Sequence, residues 1–391
     1  MWGIILGLVF AGTTVGIIYL FTRFQKFRIV RRLSGGRKWV RRGLAAIPIL
    51  IFMLFCLLDM INSIIVLLHM MIFWALADLG AFLIRRIRGR GKKNPESGKD
   101  AEEDRESPET AAEKENEKPY WMGLGVILFT ACYLCVGWYL VHHVWITRYS
   151  LSTDKSLGQE TLRVAMFADS HVGAVFDGEG FAEHMKQVEA EKPDLVLIAG
   201  DYVDDSTTKE DMIRSCQALG ELETTYGVYY SIGNHDRGYF RSRNFSYDEL
   251  LEELEKNGVH ILRDEAELIN DSFYVVGRLD KSVKERLSME ELKKKLSLDP
   301  EKYTIVLDHQ PSDYAKEAEA GMDLVLSGHT HGGQLIPINY VGEWIGANDR
   351  TYGLETRDRT TFIVTSGIAD WAIKFKTGTK SEFVVIDITG K

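Results

Sequence analysis

LRVAMFADSH, residues 162–171, sets an apolar run directly against Asp169, Ser170 and His171, with no turn-forming residue between them. A short, continuous apolar run reads as a strand buried on both faces, so the polar triplet stands at its C-terminal end. The pattern recurs along the chain. LVLIAGD (195–201) ends at Gly200 and Asp201, and GVYYSIGNHD (227–236) ends at Gly233, Asn234, His235 and Asp236. TIVLDH (304–309) ends at Asp308 and His309, and LVLSGHTH (324–331) at Gly328, His329, Thr330 and His331. Helical stretches over 178–191 and 209–222 separate the first three strands. This alternation predicts an α/β domain, and in such domains sites are built at the C-terminal edge of the strands.

Each fragment alone is weak, because Asp-x-His is common by chance and a single strand-end histidine usually serves as a hydrogen-bonded structural residue. Together the five ends deliver Asp169, His171, Asp201, Asn234, His309, His329 and His331. That is a mixed oxygen and imidazole set sufficient for two ions. A carboxylate shared between two dications offsets their repulsion as a neutral ligand would not, and Asn adds an oxygen without adding charge. Such sites favour Mn, Fe or Zn over Mg or Ca. Two cations roughly 3.5–4 Å apart can hold a bridging hydroxide and clamp both oxygens of an in-line phosphoryl displacement.

In their order and spacing these blocks resemble the five motifs of the calcineurin-like metallophosphoesterases, over residues 160–391. The resemblance implies a two-sheet β sandwich flanked by helices, with two divalent metal ions at the strand ends. It implies that Asp169, His171 and His331 hold one ion, that Asn234, His309 and His329 hold the other, and that Asp201 bridges them. His235 would face the substrate as general acid, oriented by Asp236. Protein serine/threonine phosphatases of this superfamily carry Arg-Gly and Glu where this sequence has Asp205, Ser206 and Asp236, which disfavours a phosphoprotein substrate. The ending Gly328-His-Thr-His-Gly-Gly-Gln334 looks more like the bacterial membrane-associated branch. Expected is a phosphodiesterase or pyrophosphatase acting on a phosphate ester, with a lipid-linked substrate as one form. A catalytically weak metal-binding sensor or scaffold is the alternative, and the complete ligand set speaks against it.

Upstream of the catalytic stretch the composition changes. Residues 1–93 hold 15 Lys/Arg and two acids, whereas the rest holds 32 basic and 54 acidic side chains. So acidic a domain excludes nucleic acid as a partner. Residues 1–22 read as a transmembrane helix, and the basic stretch 23–43 as a cytoplasmic loop. The apolar run 44–84 would be about 60 Å long as one helix, twice what a bilayer needs, so it reads as a hairpin turning near Asp59–Ser63. Within it, Asp78 is expected to pair with an arginine that follows it, and His69 is the other ionisable side chain of the second arm. Residues 85–120 read as a charged cytoplasmic linker with almost nothing to bury. Residues 121–146 form a last span, with Cys132 and Cys135 packing in a helix rather than acting as a redox pair. A multi-pass membrane protein results, its catalytic domain on the extracytoplasmic side.

Overall fold

The computed structural model describes residues 2–90, 119–240 and 242–391, in two compact units, residues 1–135 and 136–391. Most of the expected linker, residues 91–118, lies outside the described residues.

The first unit holds α1 (Trp2–Phe24), α2 (Arg28–Ser34), α3 (Lys38–Leu58), α4 (Met60–Arg90) and the start of α5 (Trp121–His142). All but α2 are long and apolar enough to cross a membrane. The chain breaks between α3 and α4 at Asp59, whose carboxylate accepts the Asn62 amide at 3.2 Å and so caps the start of α4. Asp78 pairs with Arg23 of α1 at 2.6 Å and accepts the Tyr19 hydroxyl at 2.5 Å. Its partner is therefore an arginine from an earlier helix rather than one that follows it, because α1 packs along α4.

Helix α5 stops at His142, short of the Ile146 expected for the last span, and Val144–Ser152 of the second unit forms strand β1. The alternating burial of β1 explains the change, since a helix would mix its two faces. The strands that follow are β2 (Thr161–Phe167), β3 (Leu195–Ala199), β4 (Val228–Ser231), β5 (Val259–Leu262), β6 (Glu265–Ile269) and β7 (Phe273–Gly277). The last five are β8 (Tyr303–Leu307), β9 (Leu324–Ser327), β10 (Gly353–Arg357), β11 (Thr360–Val364) and β12 (Ser381–Thr389). They form two mixed six-stranded sheets, ordered β1-β12-β2-β3-β4-β5 and β10-β11-β9-β8-β7-β6.

Side chains of period two divide the interior into layers. Leu162, Val164 and Met166 of β2, with Leu195 and Leu197 of β3, meet Ile305, Leu307, Leu324 and Leu326 between the sheets. Ala165, Phe167, Val196 and Ile198 point the other way, onto α6 (Gly178–Ala190), α7 (Lys209–Gly220) and α8 (Tyr247–Lys256). The outer face of the second sheet is covered by α9 (Met289–Leu296) and α10 (Tyr314–Glu319) through Met289, Leu292 and Tyr314. The unit is a two-sheet sandwich flanked by helices. Strands β2, β3 and β4 run parallel, as do β8 and β9, so each set ends at a common edge.

Candidate metal centre

Beyond the ends of β2, β3 and β9 the chain turns sharply. Asp169, His171, Asp201, His329 and His331 all adopt left-handed backbone, with φ of 55°, 37°, 53°, 70° and 49°. Non-glycine residues seldom do so, and a cluster of them marks strain held for a purpose. The turns fit only where glycine is present. A Cβ on Gly328 would lie 2.6 Å from Asp169 Oδ2, and one on Gly200 would lie 2.7 Å from His309 Nδ1.

The turns gather six of the seven expected ligands into two groups. Asp169, His171 and His331 form one, and Asp201, His309 and His329 the other, with donor atoms within 4.8 Å of one another in each. Asp201 Oδ2 lies between the groups, 3.8 Å from His171 Nε2 and 3.1 Å from His309 Nε2. Its other oxygen accepts the His235 amide at 2.8 Å. Asp169 is held by the His329 amide, at 2.9 and 3.0 Å from its two oxygens. Asn234, on the loop after β4, donates to the Tyr239 hydroxyl at 2.7 Å, and its Oδ1 lies 3.5 Å from Gln310 Nε2.

Whether this set suits divalent ions is tested by its unpaired atoms. Both ring nitrogens of His171, Nε2 of His309 and Nδ1 of His331 are buried without a hydrogen-bond partner; the neighbouring carboxylates lie close without meeting hydrogen-bond geometry. A buried imidazole nitrogen left unpaired is costly, and a cation among such nitrogens and carboxylates removes the cost. His309 presents Nε2 because Nδ1 contacts the Ala199 carbonyl at 2.7 Å. The residues fit the metals.

Burial pushes the pKa of His171 down to about 3 and that of His329 to about 4, so both rings are neutral and ready to bind. Burial also lowers His331, where the neighbouring His171 adds to the effect. Burial raises Asp169 to about 7; His309 opposes the rise and the negative charge of Asp201 reinforces it. For Asp201 burial also works against the charge, but His309 and His171 outweigh it and hold the carboxyl well below its usual range.

His235 is half-buried beside the first group, its ring 4.8 Å from that of His171 and 4.9 Å from that of Tyr239, centre to centre. Its expected orienter points elsewhere. The buried Asp236 carboxylate accepts the backbone amides of Asp201, Tyr202, Val203 and Gly233 at 2.6–3.1 Å, locking the loop after β3 to the loop after β4. The carboxylate that joins His235 and His171 in one cluster is Asp204, 3.7 Å from His171 Nδ1. Asp370, fully buried, lies 3.2 Å from His331 Nδ1 and also takes the Gln334 amide. Neither stands out in the sequence as a site residue, since Asp204 is there only a motif neighbour and Asp370 ends no apolar run.

A sequence model of the calcineurin-like phosphoesterases matches residues 162–333. An uncharacterized metallophosphoesterase of Aquifex aeolicus is 33% identical over 252 residues, covering 63% of this chain and 92% of that protein. A Bos taurus transmembrane protein with metallophosphoesterase domain is 28% identical, and the match spans 57% of this chain and 52% of that protein. Among solved structures, TT1561 of Thermus thermophilus aligns with a TM-score of 0.37 at 13% identity, over 54% of this chain and 90% of that one.

Proposed function

This chain belongs to the calcineurin-like phosphoesterase family, and from that premise we propose that it is a membrane-anchored, two-metal hydrolase of a phosphodiester or pyrophosphate bond. The observation that carries the reading is Asp201, one oxygen of which faces His171 and His309 together. Asp169, His171 and His331 would hold one ion, Asn234, His309 and His329 the second, and Asp201 both. Two divalent ions of the Mn, Fe or Zn type, when bound, supply Lewis acidity to the phosphoryl group and acidify a water. The chain's own groups do the rest. His235 is fixed through its amide to Asp201, while its half-exposed ring keeps both nitrogens available to hand a proton to the departing oxygen. Asp204 lies within reach of that ring and is our candidate for orienting it.

The substrate is lipid-linked in this reading, and its support is the lack of a tether. Helix α5 ends at His142 and β1 begins at Val144, so the apolar helix runs straight into the catalytic sheet. The basic flanks, residues 23–42 and 85–93, support a cytoplasmic position for those stretches and an extracytoplasmic one for the catalytic unit. The test is a panel of phosphomonoesters, phosphodiesters and lipid pyrophosphates offered to the full-length protein with added Mn. Turnover of the diester or pyrophosphate substrates, fastest when they are carried in vesicles, is expected. Turnover confined to phosphomonoesters would refute the reading.

A further inference from the structure

From Leu335 to Ile345 the chain reads LIPINYVGEWI, a stretch with one charged side chain in a domain otherwise crowded with acids. That charge, Glu343, is spent inward on the Thr351 amide at 2.5 Å. Apart from the buried Leu335, the large apolar side chains face out instead. Trp344 is 74% exposed, and Ile336, Ile338, Tyr340, Val341 and Ile345 are exposed with it. A contiguous apolar surface of this kind on an acidic domain needs a partner.

The partner is identified by where the stretch is held. It leaves the metal centre at Gln334, three residues after His331. The Gln334 carbonyl accepts the amides of Thr377 and Gly378 at 2.8 and 3.1 Å, and Ile336 donates to the Thr377 hydroxyl at 2.9 Å. The neighbouring Lys376 amide donates to the Gly137 carbonyl at 3.0 Å. Gly137 lies on α5, and a Cβ there would meet the Lys376 carbonyl at 3.1 Å, so the two backbones touch directly. It sits five residues before the helix end, about 7 Å along the axis. Around it Trp138 stacks on His142 and Tyr139 on His143, Trp145 meets the Tyr139 and His143 rings edge-on, and Lys380 lies over the Trp145 ring. Aromatic side chains of this kind mark the membrane–water interface at the end of a span.

We infer that residues 335–345 dock into the phospholipid bilayer beside the end of α5, with Trp344 and Ile338 as anchors, and that the mouth of the metal centre thereby opens at the membrane surface. This rests on the reading of α5 as a membrane span. Apolar and aromatic side chains at such a boundary bind through buried area without crossing the bilayer.

The test places benzoylphenylalanine at Trp344 in the full-length protein, reconstituted into phosphatidylcholine–phosphatidylglycerol vesicles and irradiated. The control position is Leu268, an exposed residue of β6. Lipid adducts at least tenfold more abundant at 344 than at 268 are expected. Equal yields, or capture of a second copy of the chain in place of lipid, would overturn the inference. As a second measurement, W344E combined with I338E is expected to raise KM for a vesicle-borne phosphodiester at least tenfold at unchanged metal content; an unchanged KM would overturn it. Lipid capture without preference for vesicle-borne substrate would uphold the docking surface and sink the lipid-substrate reading. Such a preference without capture would do the reverse.

Discussion

Asp201 carries more of the site than any other side chain. It faces two histidines with one oxygen and fixes the His235 amide with the other. Asp201→Asn keeps the shape and removes the charge, so it is expected to lose activity together with much of the bound metal, as metal analysis of the purified variant would show. His235→Ala is expected to keep its metal and lose about 10²–10⁴-fold in rate, the range for a positioned acid. Asp169 and His309 set the pH dependence together: burial works against a charge on His309, but Asp201 and Asp169 outweigh it and raise His309 well above its ordinary range. Without metal the Asp169 carboxyl holds a proton up to about pH 7, chiefly because it is buried. Metal must displace both protons, so apparent affinity should fall as the pH drops, more steeply below about 7, where Asp169 is protonated as well, than above it. His171 and His329, at about 3 and 4, are already neutral there and release nothing. Calorimetry in buffers of different ionisation heat would count the protons, and a count of zero at pH 6 would contradict the assignment.

The elements explain what was legible in the sequence and what was not. Five apolar runs stopping at Asp, Asn and His were enough to place the strand ends, because buried strands are written as continuous hydrophobic stretches. The same local reading misjudged Asp236, which is next to His235 in sequence but turns away to bind four amides of two loops. No local pattern reveals such a cross-loop lock. Asp236→Ala is therefore expected to cost stability rather than chemistry alone. Leaving several buried amides unpaired costs about 1–3 kcal/mol each, so the urea midpoint should fall by an amount worth at least about 3 kcal/mol. A variant as stable as the parent would return Asp236 to the role of orienting His235. Strand β1 escaped notice for a different reason. Val144, Trp145 and Ile146 extend the hydropathy of the preceding helix, and only pairing with β12 across nine positions makes them a strand.

At the scale of the whole molecule, charge and hydropathy divide the chain into an apolar, basic part and an acidic, catalytic one. The extracytoplasmic orientation proposed for the second part predicts that a cysteine replacing Glu252, exposed on α8, reacts with an impermeant thiol reagent in intact cells. Reaction only after lysis would invert the topology. A soluble catalytic piece has to keep Val144–Ser152, since a cut at residue 150 removes most of an edge strand. The central claim is that two ions share one carboxylate and act together. Its most direct test is phosphodiester turnover by the full-length protein measured against the number of Mn ions bound per chain. Turnover should rise only as the second ion is taken up and be abolished by Asp201→Asn. Full turnover with one ion per chain would contradict it.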